Sequence, residues 1–96
     1  MRNYEGVFII NTDLSAENAK GVVAQIQELV SKHGGRIDGI QERGRKRFAY
    51  KIKKKHEGNY VIMNFQIDSN QTKKLDQSLR LNDHLLRFLL VNKDAL

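Results

Sequence analysis

The chain has 96 residues, no cysteine, no proline, and 17 Lys and Arg against 11 Asp and Glu, for a net charge of +6. That length fits one domain, 1–96, around one core. The missing cysteine excludes disulfides, thiolate nucleophiles and thiolate metal sites, and no apolar run approaches the ~20 residues of a membrane span.

In chain order, Arg2 to Ile10 reads as a first strand. Tyr4, Gly6, Phe8 and Ile10 share one face, and both faces turn apolar towards Ile10, which predicts an inner strand. Ser15 or Asp13 can cap the helix that follows. Ala19, Val22, Val23, Ile26, Leu29 and Val30 form its apolar stripe, and Gly34-Gly35 ends it. Gly21 sits mid-helix, where a close packing contact would explain it.

Arg36 to about Lys54 reads as one long, interrupted strand. Ile37 and Ile40 are out of phase, which predicts a bulge near Gly39 or Gly44. His56-Glu57-Gly58-Asn59 reads as the hairpin turn, and Tyr60 to Ile67 as the returning strand. Asp68-Ser69-Asn70 then supplies a cap for a helix with Thr72, Leu75 and Leu79 on its stripe, running to about Leu81. Leu85 to Val91 is the last strand, and residues 92–96 are a short tail.

This order predicts an α+β fold of the ferredoxin-like, split βαβ type (βαββαβ). Its four-stranded antiparallel sheet would carry both helices on one face, with right-handed crossovers. The other face would then present Tyr60, Ile62 and part of the last strand. An apolar surface of that kind marks a protein contact, unless strand twist and side-chain stems cover it.

The residues from Arg43 to Lys55 stand out: eight of thirteen are Lys or Arg and none is acidic. Phe48, Tyr50 and Ile52 alternate with Arg47, Ala49, Lys51 and Lys53, the period of a strand with one apolar and one cationic face. So dense a one-sign block suits RNA phosphates, although lysines also keep edge strands soluble. The net positive charge favours nucleic acid over a membrane surface, since no lipidation motif or strongly basic amphipathic helix is present.

No catalytic or metal-binding set emerges, and no cofactor is implied. His33, His56 and His84 lie in separate turns or element ends, and the carboxylates form no acid–base pair. An enzyme on this fold is the remote alternative. An RNA-recognition motif shares the element order, and Val7-Phe8-Ile9-Ile10-Asn11 fits its first-strand signature. The residues from Glu57 to Phe65 do not supply its basic–Gly–aromatic signature, so a stacking platform is not expected.

Four segments together resemble the bacterial family of small-ribosomal-subunit protein six. They are Met1-Arg2-Asn3-Tyr4-Glu5, the run Gly44-Arg45-Lys46-Arg47-Phe48-Ala49-Tyr50-Lys51-Ile52, Tyr60-Val61-Ile62-Met63-Asn64-Phe65, and Leu79-Arg80-Leu81-Asn82-Asp83 with Arg87 and Val91. Lys51 and Phe48 stand where the family commonly has Pro and Leu. The resemblance implies a non-enzymatic, cytoplasmic ribosomal protein. It would bind the central domain of the 16S ribosomal RNA as a heterodimer with small-subunit protein eighteen. It also implies RNA contacts from Arg2, Tyr4, Arg45, Lys46, Arg47, Lys51, Lys53, Lys54 and Arg87.

Overall fold

The structure, a computed structural model, describes residues 1–95. Alternation decides the layers. In β1 (Arg2–Asn11), Tyr4, Phe8 and Ile10 are buried on one side, Phe8 completely, whereas Val7 on the other is half-buried. The same period in β3 (Lys55–Ile67) sends Val61, Met63, Phe65 and Ile67 to the buried side. There α1 (Ala16–Lys32) contributes Val22, Ile26 and Val30, and α2 (Thr72–Arg80) contributes Leu75 and Leu79. Each such burial is worth roughly 1.5–3 kcal/mol, which makes this helix–sheet contact the main drive to fold.

The sheet order is β2-β3-β1-β4, with every neighbouring pair antiparallel. β2 (Arg36–Ile52) and β4 (Leu85–Asn92) are its edges, and β1 is an inner strand as its composition predicts. The βαββαβ order and the pair of helices on one face match the expectation.

Helix ends are set by local hydrogen bonds. Ser15 is the cap of α1: its Oγ accepts from the Asn18 N–H at 3.1 Å, so the role falls to Ser15 and not to Asp13. Gly34, at φ +81°, follows the C-cap His33. Two expectations are corrected. A Cβ at Gly21 would have no neighbour within 4 Å, so no packing contact explains that glycine. Asp68 makes no side-chain cap. Ser69–Gln71 forms a 3-10 turn instead, and Thr72 Oγ1 donates to the Ser69 carbonyl at 2.8 Å. The end of α2 stands where expected, at Arg80 with Leu81 as its C-cap.

The hairpin turn also differs from the sequence reading. It is the pair Lys53-Lys54, flanked by the ladder pair Ile52↔Lys55, and residues 56–59 are part of β3. Gly58 is buried beside Ile9 and Phe48. β2 is interrupted three times along its pairing with β3. One extra residue stands at Asp38, one at Arg43 before Gly44 (φ +82°), and residues 48–51 run opposite His56 alone. The sequence predicts one bulge near Gly39 or Gly44, and the structure has one beside each. The third interruption destroys the phase of the alternation, so Tyr50 is 69% exposed instead of half-buried.

At the other end, Lys93–Ala95 forms a 3-10 turn that returns to β1. Asp94 Oδ2 accepts from the Asn3 N–H at 2.9 Å and Oδ1 from the Asn3 side-chain amide at 3.2 Å. These bonds hold the Asp94 carboxyl below its ordinary value, the backbone N–H contributing most. Leu96, the last residue of the predicted tail, lies outside the described residues.

Candidate nucleic-acid interface

The hairpin of β2 and β3 carries the basic block past the end of β1, where the last paired residue is Asn11, opposite Gly58. Alternation splits its cations between two faces. Arg45 and Arg47 pair with Asn59 and Glu57 on the helix side, whereas Lys46 pairs with Gly58 on the open side. Arg45 Nη1 lies 3.2 Å from Glu57 Oε1. Lys46 Nζ stands 5.7 Å from the Tyr60 ring centroid, within the range of a cation–π contact. Phe48 leans on Tyr60 at 6.3 Å between centroids.

Two tethers hold the tip. Lys53 Nζ donates to the Leu85 carbonyl at 3.2 Å, and Lys55 forms an ion pair with Asp13 in the β1–α1 loop. Arg47, Lys54, Asp13 and His56 line one cleft of about 380 Å³ beside that loop. Among the described residues, no ion pair or side-chain hydrogen bond engages Lys46, Arg47, Lys51 or Lys54. These exposed ammonium and guanidinium groups are open to an external anion.

The nine residues named from the resemblance do not all meet. Arg45, Lys46, Arg47, Lys51, Lys53 and Lys54 lie on the hairpin. Arg87 is exposed on β4, opposite Ile9, and lines a cleft of about 400 Å³ together with Lys53 and Arg80. Arg2 is at the far end of β1, about 30 Å of strand away from Asn11. Tyr4 is a core side chain: it is 6% exposed and its ring stacks on Phe65 at 5.9 Å, so it offers no aromatic surface to a nucleic acid. Arg80 was not predicted as a site residue. It is held by Asp76 at 2.7 Å and over the Phe88 ring at 5.3 Å. Its position after the α2 stripe was the available signal, but only the fold brings it beside Lys53.

The open sheet face carries Val7, Ile9, Tyr60, Ile62 and Leu89, with Arg87 among them. Ile9 is nearly covered, Val7 and Ile62 are half-buried, and Leu89 is 60% exposed. This is the apolar surface expected there. It is not a base-stacking platform. Phe8, the aromatic of the first-strand signature, is fully buried on the helix side, and its open-face neighbours Val7 and Ile9 are aliphatic. No group of three or more His, Cys, Asp or Glu among the described residues is arranged to hold a metal ion. No helix among them is long and apolar enough to cross a membrane.

Comparison with known proteins agrees with this geometry. The family model described as Ribosomal protein S6 matches residues 3–92. The chain is 39% identical over 94 residues to small ribosomal subunit protein bS6 of Thermoanaerobacter pseudethanolicus, covering 98% of this chain and 99% of that protein. It is 34% identical over 94 residues to the bS6 of Carboxydothermus hydrogenoformans, covering 98% of each. The crystal structure of 30S ribosomal protein S6 from Thermotoga maritima superposes with a TM-score of 0.91 at 27% identity, over 98% of this chain and 89% of that one. The C-terminal domain of the MgtC protein from Mycobacterium tuberculosis shares the fold alone, with a TM-score of 0.62 at 12% identity. A family match across both helices and all four strands, with full-length relatives, leads to one conclusion: the chain belongs to the ribosomal protein S6 family, whose members are structural proteins and not enzymes.

Proposed function

We propose that the protein is a structural component of the small ribosomal subunit that binds the central domain of the 16S ribosomal RNA together with small-subunit protein eighteen. The observation that carries this reading is the set of uncommitted cations on the hairpin, Lys46, Arg47, Lys51 and Lys54. They would meet phosphates and 2′-hydroxyls, Arg47 by forked contacts and the lysines as point charges. Arg45 and Lys53 would join them by exchanging Glu57 and the Leu85 carbonyl for phosphate oxygens. Arg87 would extend the contact along the edge of β4, and Arg2 would need a second stretch of RNA. Such contacts position a protein and carry little base information. Specificity would come from RNA shape and from the surface completed by the partner. The half-buried apolar sheet face around Leu89 is the surface that supports a protein partner.

The test is affinity for a central-domain RNA fragment across a salt series, with and without small-subunit protein eighteen. The expected result is tight binding with the partner and a steep fall of log K with log salt. Alanine at both Arg47 and Lys54 should weaken binding and reduce the salt slope by about one for each phosphate no longer neutralised. Equal binding to any single strand by the protein alone would instead indicate a generic RNA reader.

A further inference from the structure

The tip of the basic hairpin is poorly secured by its own backbone. Between Arg47↔Glu57 and Ile52↔Lys55 the ladder breaks, because β2 runs residues 48–51 against His56 alone. The turn itself is Lys53-Lys54, at φ +48° and +66°. A two-residue turn with positive φ at both positions favours Asn and Gly, because the left-handed region costs a residue with a Cβ roughly 1–2 kcal/mol. Two lysines therefore hold a strained turn beyond a broken ladder. The tip is fixed instead from outside the hairpin, by Lys53 on the Leu85 carbonyl and by Lys55 on Asp13. Those anchors lie on β4 and on the β1–α1 loop, so the tip is tied to both.

The Asp13 carboxylate is an odd feature of this surface. It stands at the rim of the cleft shared by Arg47, Lys54 and His56, where a negative charge opposes an RNA phosphate. Its partner Lys55 is a hairpin cation that the resemblance does not assign to RNA. We infer that Asp13 is a positioning residue: by latching Lys55 it holds the hairpin tip so that Arg47 and Lys54 face one stretch of phosphates. This inference rests on the RNA-binding reading above. The latch stabilises an arrangement that the bulged, left-handed tip does not stabilise alone, and that gain outweighs the repulsion between Asp13 and the phosphates.

The two effects of Asp13 have opposite signs, so a charge-removing variant separates them. Wild type, D13N and the swapped pair D13K/K55D would be titrated with the central-domain RNA fragment in the presence of small-subunit protein eighteen. Amide hydrogen exchange of residues 52–57 would be measured on the same proteins without RNA. If Asp13 positions the tip, D13N binds roughly two- to fivefold more weakly although a negative charge has been removed, in keeping with the small energies of exposed ion pairs. Exchange at the tip then quickens, and the swap restores both. If D13N binds as tightly as wild type or more tightly, the inference is overturned while the RNA reading stands. If wild type does not bind, the RNA reading falls, and the latch is judged by exchange alone: unchanged rates in D13N overturn it.

Discussion

Gly58 and Ile9 approach so closely, diagonally across β3 and β1, that a Cβ on Gly58 would overlap Ile9 Cγ2 and stand 3.0 Å from Phe48 Cζ. The glycine is required for space on the open sheet face and not for a turn. Gly58→Ala should destabilise the protein by about 1–3 kcal/mol, as overpacking does. Gly39→Ala, where a Cβ meets nothing within 4 Å, should change stability by no more than about 0.5 kcal/mol. Urea unfolding of the two variants side by side checks this.

Gly21 is the opposite case. It sits inside α1 with open space around its would-be Cβ. Gly21→Ala should raise stability by about 0.5–1 kcal/mol through helix propensity. The expected signature is a higher urea midpoint at unchanged slope.

Leu89 is exposed on β4, opposite Val7 and beside Arg87. Leu89→Lys should leave stability within about 0.5 kcal/mol of wild type, because little of the side chain is buried. It should weaken binding of small-subunit protein eighteen about tenfold, if the open face is the contact. Calorimetric titration of the partner, with unfolding as the control, separates the two effects.

Asp94 supplies a pH dependence with a definite sign. Its folded-state carboxyl is held below its ordinary value of 3.8, first by the Asn3 N–H and then by the Asn3 side chain. Its contribution is therefore present above 3.8 and is lost as pH falls through the lower folded value. The Asn3 amide should remain protected from exchange through mildly acidic pH and lose protection only below that range. In Asp94→Asn the protection should be weaker throughout and should not show that acid step.

The layers of the fold were legible because they follow from period alone. Tyr4, Phe8 and Ile10 share a face by alternation, and that face is the core. Alternation grouped Tyr4 with Phe8 and Ile10, the structure shows that this face is the core, and only the family resemblance suggested an RNA contact for Tyr4. A bulge near Gly39 or Gly44 was also legible, since Ile37 and Ile40 cannot share a phase without one, but not that there are two. The turn was not. Gly58-Asn59 carries the composition of a turn, yet Gly58 answers to the bulk of Ile9 and Phe48, which only the register brings near. The true turn, Lys53-Lys54, has no chemical mark of positive φ. The extra residues at 48–51 then left Tyr50 exposed where the alternation predicts an apolar face. The candidate site was legible as a block of charge. Its division into committed cations, such as Arg45 and Lys55, and uncommitted ones was not, because Glu57 and Asp13 reach it through tertiary structure.

The inner place of β1 has a consequence for how the protein is made. Its neighbours are β3 and β4, and Tyr4 pairs with both Phe65 and Asn92. During synthesis the strand formed first has one flank open until the residues of β4 are available. Phe8 and Ile10 can be covered by α1 and β3 before then, but the backbone groups of β1 that face β4 cannot be paired. A nascent chain that pauses before Leu85 therefore presents an apolar inner strand as a bare edge, open to joining another chain. Pausing there should be the most aggregation-prone moment in its synthesis.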